Sequence, residues 1–186
     1  FVGQEELPFT ITFVENEGQS SFQGQINLAA KSVKTKYFSI LEFDDELSTK
    51  YVVEFKRYAE AYPNVELFLP IVVETNEENQ GLKLTNEPVW SKQFVGENGV
   101  VGYLNAKALA QYTDFKISGG IFKTEEFIDN GLLKTKIDLT FSYEYLLRSI
   151  NNGGKIFIIP KTIYKHVATR PSSLFGHYAT TMSLQE

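Results

Sequence analysis

One stretch constrains this chain more than any other: Tyr37-Phe38-Ser39-Ile40-Leu41-Glu42-Phe43-Asp44-Asp45-Glu46. It opens as a short run of aromatic and branched apolar residues, the pattern of a buried strand. It then places four carboxylates within five positions, at Glu42, Asp44, Asp45 and Glu46. A strand that runs from core into clustered acids puts negative charge at the carboxyl edge of a sheet, which is where open α/β sheets bind ligands. Crowded like charges repel, so at least one of these acids should hold a proton more tightly than a free carboxylate. A divalent cation would relieve the same repulsion, since Mg2+ and Mn2+ are held by carboxylates, waters and phosphates.

A second reading of the same acids stands beside the first. The apolar positions Leu47, Tyr51, Phe55, Tyr58 and Tyr62 recur at helical spacing. Asp44 or Asp45 would serve as the N-cap of that helix, and Glu46 would complement its dipole from the first turn. This accounts for one or two acids but not for the whole cluster with Glu42.

Composition narrows the function classes. At 186 residues the chain is expected to form one domain, and its 42% hydrophobic and 22% charged content is that of a globular protein. The formal charge of −5 and the lack of a basic run argue against nucleic acid as a partner. The absence of cysteine removes thiol catalysis, disulfides and cysteine-ligated metal centres. No apolar run reaches the length of a membrane span and no signal peptide is visible, so the expected location is cytoplasmic.

Read in order, Phe9 to Val14 alternates as a strand, and Gln25 to Val33 reads as a helix with Ile26, Ala29, Ala30 and Val33 on one face. The acidic strand follows, and strand–helix–strand over this span favours parallel pairing. A helix over Leu47 to Tyr62 stops at Pro63-Asn64, before a strand from Val65 to Val73 that Pro70 marks as an edge or a bend. Leu82 to Thr85 and Val89 to Val95 read as a short strand pair, Gly96 to Gly99 with Gly102 as a mobile loop, and Leu104 to Tyr112 as a helix. Ile117 to Phe122 reads as a strand with Gly119 and Gly120 inside it, signalling either a bulge or the close approach of a ligand or backbone. Thr124 to Asp129 makes a short helix capped by Asn130-Gly131. Ile137 to Ile150 makes a long helix, followed by strands at Ile156 to Ile159 and Tyr164 to Val167 and a polar tail from Thr169.

The succession Asn27-Leu28-Ala29-Ala30, Thr35-Lys36-Tyr37-Phe38 and Leu41-Glu42-Phe43-Asp44-Asp45 resembles a family 2 type glycosyltransferase of the GT-A fold. Ser118-Gly119-Gly120, with Phe127 and Gly131, resembles that family's Gly-Gly-Phe region beside the donor sugar. Tyr143-Glu144-Tyr145-Leu146-Leu147-Arg148 resembles its acidic-helix motif, and Pro160 followed by His166 resembles its closing strand and metal-side histidine. The resemblance spans Thr10 to His166 and implies an α/β, Rossmann-like, mostly parallel sheet flanked by helices.

The sequence departs from the family in four places. Glu42 replaces the first acid of Asp-x-Asp, and the paired acids of the helix motif reduce to Glu144, with Asp138 upstream as a substitute. Gly131-Leu132-Leu133-Lys134 stands where the family has Gly-Gly-Phe-Asp. A single strand and helix precede the acidic strand, so the first βα unit is expected to be absent from a chain that begins at Phe1, leaving room for a missing N-terminal segment or a partner chain.

The roles that the resemblance implies are specific. Asp44 and Asp45, with His166, would bind Mn2+ or Mg2+ at the diphosphate of a nucleotide-sugar. Glu42, Asp45, Gly119 and Gly120 would contact the donor. Glu144, or Asp138 in its place, would deprotonate an acceptor hydroxyl of a carbohydrate or another molecule. Against these, Glu144 has Arg148 at i+4 as an ion-pair partner. The expected function is a metal-dependent glycosyltransferase; the alternative is a degenerate relative that binds or assembles without turnover.

Overall fold

The computed structural model describes residues 12–18, 21–91 and 101–168. The first half of the expected strand at Phe9 to Val14 lies outside these residues, and Thr12 to Val14 carry no regular structure. The loop at Gly96 to Gly99, most of the second member of the expected strand pair, and the tail from Thr169 also fall outside them.

Helix α1 spans Phe22–Ser32 and begins where Ser21 accepts a hydrogen bond from the Gly24 N–H at 3.0 Å. Strand β1 is Tyr37–Ser39, and strand β2 is Glu46–Leu47. Helix α2 (Tyr51–Ala61) therefore starts four residues later than its apolar period suggests. Glu46 and Leu47 pair instead with Lys165 and Tyr164, and the Ser48 N–H donates to the Ile163 carbonyl at 3.0 Å. Strand pairing thus overrides helix propensity here, and Lys50, not Asp44 or Asp45, occupies the N-cap.

The remaining elements are β3 (Leu67–Thr75), β4 (Gly81–Thr85), a 3-10 turn at Glu87–Trp90, α3 (Ala106–Gln111), β5 (Ile121–Lys123), α4 (Thr124–Asp129), α5 (Phe141–Asn151) and β6 (Ile156–Val167). Strand β4 lies antiparallel on β3, and among the described residues of the expected second strand Val89 and Trp90 belong to the 3-10 turn. The last two expected strands are one, interrupted by a slip in the ladder near Pro160 and Lys161.

The strands form one curled sheet in the order β1-β5-β3-β6-β2, with β4 also on β3. The α/β class holds, but the strand directions are mixed rather than mostly parallel. Among the described residues β3 and β6 run parallel, and β1, β2, β4 and β5 each join an antiparallel neighbour. Strand β1 takes the short β5 as its antiparallel neighbour.

Pro70 sits in the central strand, not on an edge. It falls between the residues of β3 that pair with β5 (Leu67, Phe68) and those that pair with β4 (Val72 to Thr75), so its missing N–H is not needed there. The ladder to β6 slips at the same point, which is the bend that proline predicts.

Side chains alternate across the sheet as the two-residue period requires. Leu67, Leu69, Ile156 and Ile158 face one core with Ala30, Leu109, Phe127, Tyr145 and Leu146 from α1, α3, α4 and α5. Phe68, Phe157 and Ile159 face the other core with Tyr51 from α2. Helices thus cover both faces, and no helix among the described residues is long and apolar enough to cross a membrane.

Candidate active site

The direction of β1 decides where the acids go. It runs antiparallel to β5, which runs antiparallel to β3, so the carboxyl ends of β1, β3 and β6 share one edge of the sheet. β1 and β2 stand at opposite ends of the strand order. The chain from Ile40 to Asp45 must therefore cross that edge, a distance an extended segment of this length covers at about 20 Å. The acidic run is a crossing loop rather than a continuation of the strand. That path carries Asp45 to the carboxyl end of β6.

There Glu42, Asp45 and His166 come together, each offering a ligand atom within 4.8 Å of the others. Asp45 is buried. Its Oδ2 accepts from the Tyr164 hydroxyl at 2.6 Å, its Oδ1 lies 3.0 Å from His166 Nδ1, and Oδ1 also accepts from the Val167 N–H at 3.3 Å. Glu42 is half-buried and accepts from Ser118 Oγ at 3.3 Å. Burial, and then the charge of Asp45, raise the Glu42 pKa. For His166, burial works downward, but the bond to Asp45 and its charge together leave the imidazole above its usual value. Burial followed by the bond to Asp45 pushes the Tyr164 phenol well up, so it stays a donor.

A cleft of about 510 Å³ opens beside this group, lined by Glu42 and His166 together with Ile40, Lys116, Ser118, Asp138, Phe141 and Ser142. The lining also carries Lys83 and Glu74, cross-strand partners in β4 and β3, and Glu74 is in turn the partner of His166. Glu74 is buried against the Lys116 ammonium. Lys116 is fixed by Asn86, whose Oδ1 accepts from the Lys116 N–H at 2.9 Å and whose Nδ2 donates to the Lys116 carbonyl at 3.1 Å.

The other expected site residues are placed as follows. Asp44 is half-buried on the crossing loop next to Asp45 but is not one of the three converging residues. Asp138 is exposed and lines the cleft ahead of α5. Glu144 does not line it. Both Glu144 oxygens are engaged by Arg148, at 2.6 Å from Nε and 3.0 Å from Nη2. Arg148 also donates to the carbonyls of Asn130 and Leu132, so this pair ties α5 to the end of α4.

Gly119 and Gly120 are buried in the turn before β5 rather than inside a strand. A Cβ on Gly119 would lie 2.2 Å from Tyr164 Cδ2, and one on Gly120 would lie 2.7 Å from the Ile117 carbonyl oxygen. Protein atoms, not open cleft, occupy the space these glycines leave. Tyr164, Lys116, Glu74 and Ser142 went unnoticed in the sequence. Tyr164 had a signal: two residues before His166 on a strand, it shares the histidine's face.

No protein-family model matches the sequence, and no curated protein matches it. Solved structures do. S. aureus TarS 1-349 in complex with UDP-GlcNAc superposes with a TM-score of 0.60 at 10% identity, over 88% of this chain and 42% of that one. S. aureus TarS 1-349 alone gives 0.58 at 10% identity, over 80% and 40%. S. aureus TarS gives 0.56 at 11% identity, over 87% and 28%. The chain spans less than half the length of each of these structures. At such identities the likeness concerns the fold, and the fold is glycosyltransferase-like, of the GT-A type.

Proposed function

We propose that this protein transfers a sugar from a nucleotide-sugar to an acceptor hydroxyl with the help of a divalent cation. One observation carries the reading: two carboxylates and an imidazole converge at the mouth of a cleft, at the carboxyl edge of a sheet whose fold is shared with a protein in complex with UDP-GlcNAc.

The donor set fits the cation. Carboxylate oxygens with one imidazole suit Mn2+ or Mg2+, and burial and the charge of Asp45 push Glu42 toward its protonated form, a cost that a bound cation would relieve. Asp44 adds negative charge from the adjacent position. A bound cation would supply electrostatic stabilisation of the leaving diphosphate. Ser118, beside Glu42 and one residue before Gly119, borders the space for the donor, and the two glycines keep that wall close-packed. Of the two acids considered as base, Asp138 faces the cleft and is the one assigned to the acceptor hydroxyl in an inverting transfer. Glu144 supports α5 through Arg148.

The test is calorimetric binding of UDP-, GDP- and CMP-sugars with and without Mn2+, followed by assay of sugar release from the donor that binds. A cation-dependent gain for one donor, with turnover, supports transfer. A protein that binds without turning over is the second reading, favoured by the engagement of both Glu144 oxygens in an ion pair. Cation-dependent binding with no release to any acceptor, or no binding of any donor, would refute transfer and select that second reading.

A further inference from the structure

The three residues of the acidic group are not equivalent. The Asp45 side chain has no solvent exposure. Its Oδ1 has two partners, His166 Nδ1 and the Val167 N–H, and its Oδ2 also has two, the Tyr164 hydroxyl at 2.6 Å and His166 Nδ1 at 3.1 Å. A carboxylate offers about four lone-pair sites in all, so Asp45 has little capacity left for another partner. The imidazole uses Nδ1 toward this carboxylate. A carboxylate only accepts, so Nδ1 carries the proton, and in the neutral ring Nε2 carries the lone pair. His166 and Glu42 line the cleft; Asp45 lies behind them.

We propose that Asp45 and Tyr164 are positioning residues: Asp45 holds His166 in the Nδ1–H tautomer, so that Nε2, the nitrogen not engaged by Asp45, is the one offered to the divalent cation. This rests on the cation-assisted reading above and divides the labour within it. Asp45 acts from the outer shell, Glu42 and His166 from the inner. Outer carboxylates of this kind fix ring orientation and raise ligand basicity, and their loss weakens metal binding by about 10- to 100-fold. The clamp reaches one step further back. The Tyr164 hydroxyl fixes Asp45, and the Tyr164 ring is seated in the space that Gly119 leaves open.

Two measurements on the full chain test this without any sugar donor. Long-range 1H–15N NMR of the metal-free protein, above the histidine pKa, should show His166 as the Nδ1–H tautomer. Asp45→Ala should turn it into a mixture. Pulsed EPR of the Mn2+-loaded protein should show an imidazole nitrogen coupling that disappears in His166→Ala and persists, at about 10- to 100-fold lower Mn2+ affinity, in Asp45→Ala. Tyr164→Phe guards against a folding defect in the aspartate variant. It should keep the tautomer and the nitrogen coupling while weakening Mn2+ binding a few-fold.

An Nε2–H tautomer in the wild type, an absence of imidazole coupling to Mn2+, or no Mn2+ binding at all overturns the inference. Failure of the functional reading looks different: the tautomer and the coupling appear as expected, yet no nucleotide-sugar binds.

Discussion

The Tyr164 ring occupies the place of a side chain at Gly119: a Cβ built there would come within 2.2 Å of Tyr164 Cδ2 and 2.5 Å of Cγ. Gly119 also adopts φ +66°, in the left-handed region that residues with a Cβ enter at a cost of about 1–2 kcal/mol. Forcing a methyl group into the packed ring adds about 1–3 kcal/mol. Gly119→Ala should therefore lower stability by roughly 3 kcal/mol, read as a shift of the urea midpoint. Because Tyr164 must move, Mn2+ affinity should fall in the same variant.

The two acids considered as base should separate by phenotype. Glu144 and Arg148 are partly exposed, with side-chain accessibilities of 25% and 18%, and such a pair contributes about 1 kcal/mol or less by itself. Glu144→Gln is expected to cost about that much stability and to leave donor binding intact. Arg148→Ala should cost more, about 2 kcal/mol, because the carbonyls of Asn130 and Leu132 lose a charged donor as well. Asp138→Asn should leave the melting temperature unchanged and reduce sugar transfer to an acceptor by at least about 100-fold. A transfer-competent Asp138→Asn enzyme would remove that residue from the role of base.

Much of this site was legible from residue order, and the missing parts have physical causes. The acid run, the glycines before β5 and His166 mark the places that the fold brings near one edge. The sequence pattern does not separate a strand from a loop at Ile40 to Asp45: Ile40, Leu41 and Phe43 read as strand residues, yet Leu41 and Phe43 are exposed on the crossing loop. Glu46 and Leu47 fit a helical period but pair with β6, a long-range contact that no local pattern reports. The bidentate bond between Glu144 and Arg148 follows from i, i+4 spacing, and it was the simpler of the two readings of that helix. Lys116 gave no signal at all, since its place in the cleft depends on Asn86, thirty residues away in sequence.

Two tyrosines should report on the integrity of the cores at high pH. Burial pushes Tyr51 up to about 12 and raises Tyr145 further. Tyr51 is held by Ser39 at 2.6 Å and donates to the Gly119 carbonyl at 2.6 Å. In the unfolded chain both would ionise near about 10. Above that pH the unfolded state has lost protons that the folded state keeps, so stability contributed by these groups is complete below about pH 10 and falls as the pH rises through their folded values. Spectrophotometric titration of the folded protein at pH 11 should fall at least two short of its ten tyrosines. The missing absorbance should appear together with loss of secondary structure. Full ionisation of all ten at pH 11 with the fold intact would contradict the burial of both rings.

Asn86 offers the sharpest separation of architecture from chemistry. It is fully buried, at φ +69°, and it closes three hydrogen bonds through its side chain: to the Pro70 carbonyl at 2.8 Å, to the Lys116 carbonyl at 3.1 Å and from the Lys116 N–H at 2.9 Å. Its own N–H donates to the Asp114 carbonyl at 3.2 Å. A primary amide supplies two donors and an acceptor at once, which no hydroxyl of similar size does. Asn86→Asp keeps the acceptor for the Lys116 N–H but sets a carboxylate oxygen against two carbonyls. Asn86→Ala keeps neither function and leaves three backbone groups without a partner, at about 1–3 kcal/mol for each group that water does not reach. Both variants should be destabilised by at least about 2 kcal/mol in denaturant titration. Lys116 and its buried partner Glu74 should also lose their fixed place on the cleft wall. The Mn2+ binding proposed for residues held by β6 and the crossing loop should survive in whatever fraction remains folded. A variant that folds with wild-type stability would show that water or a neighbouring side chain replaces the amide.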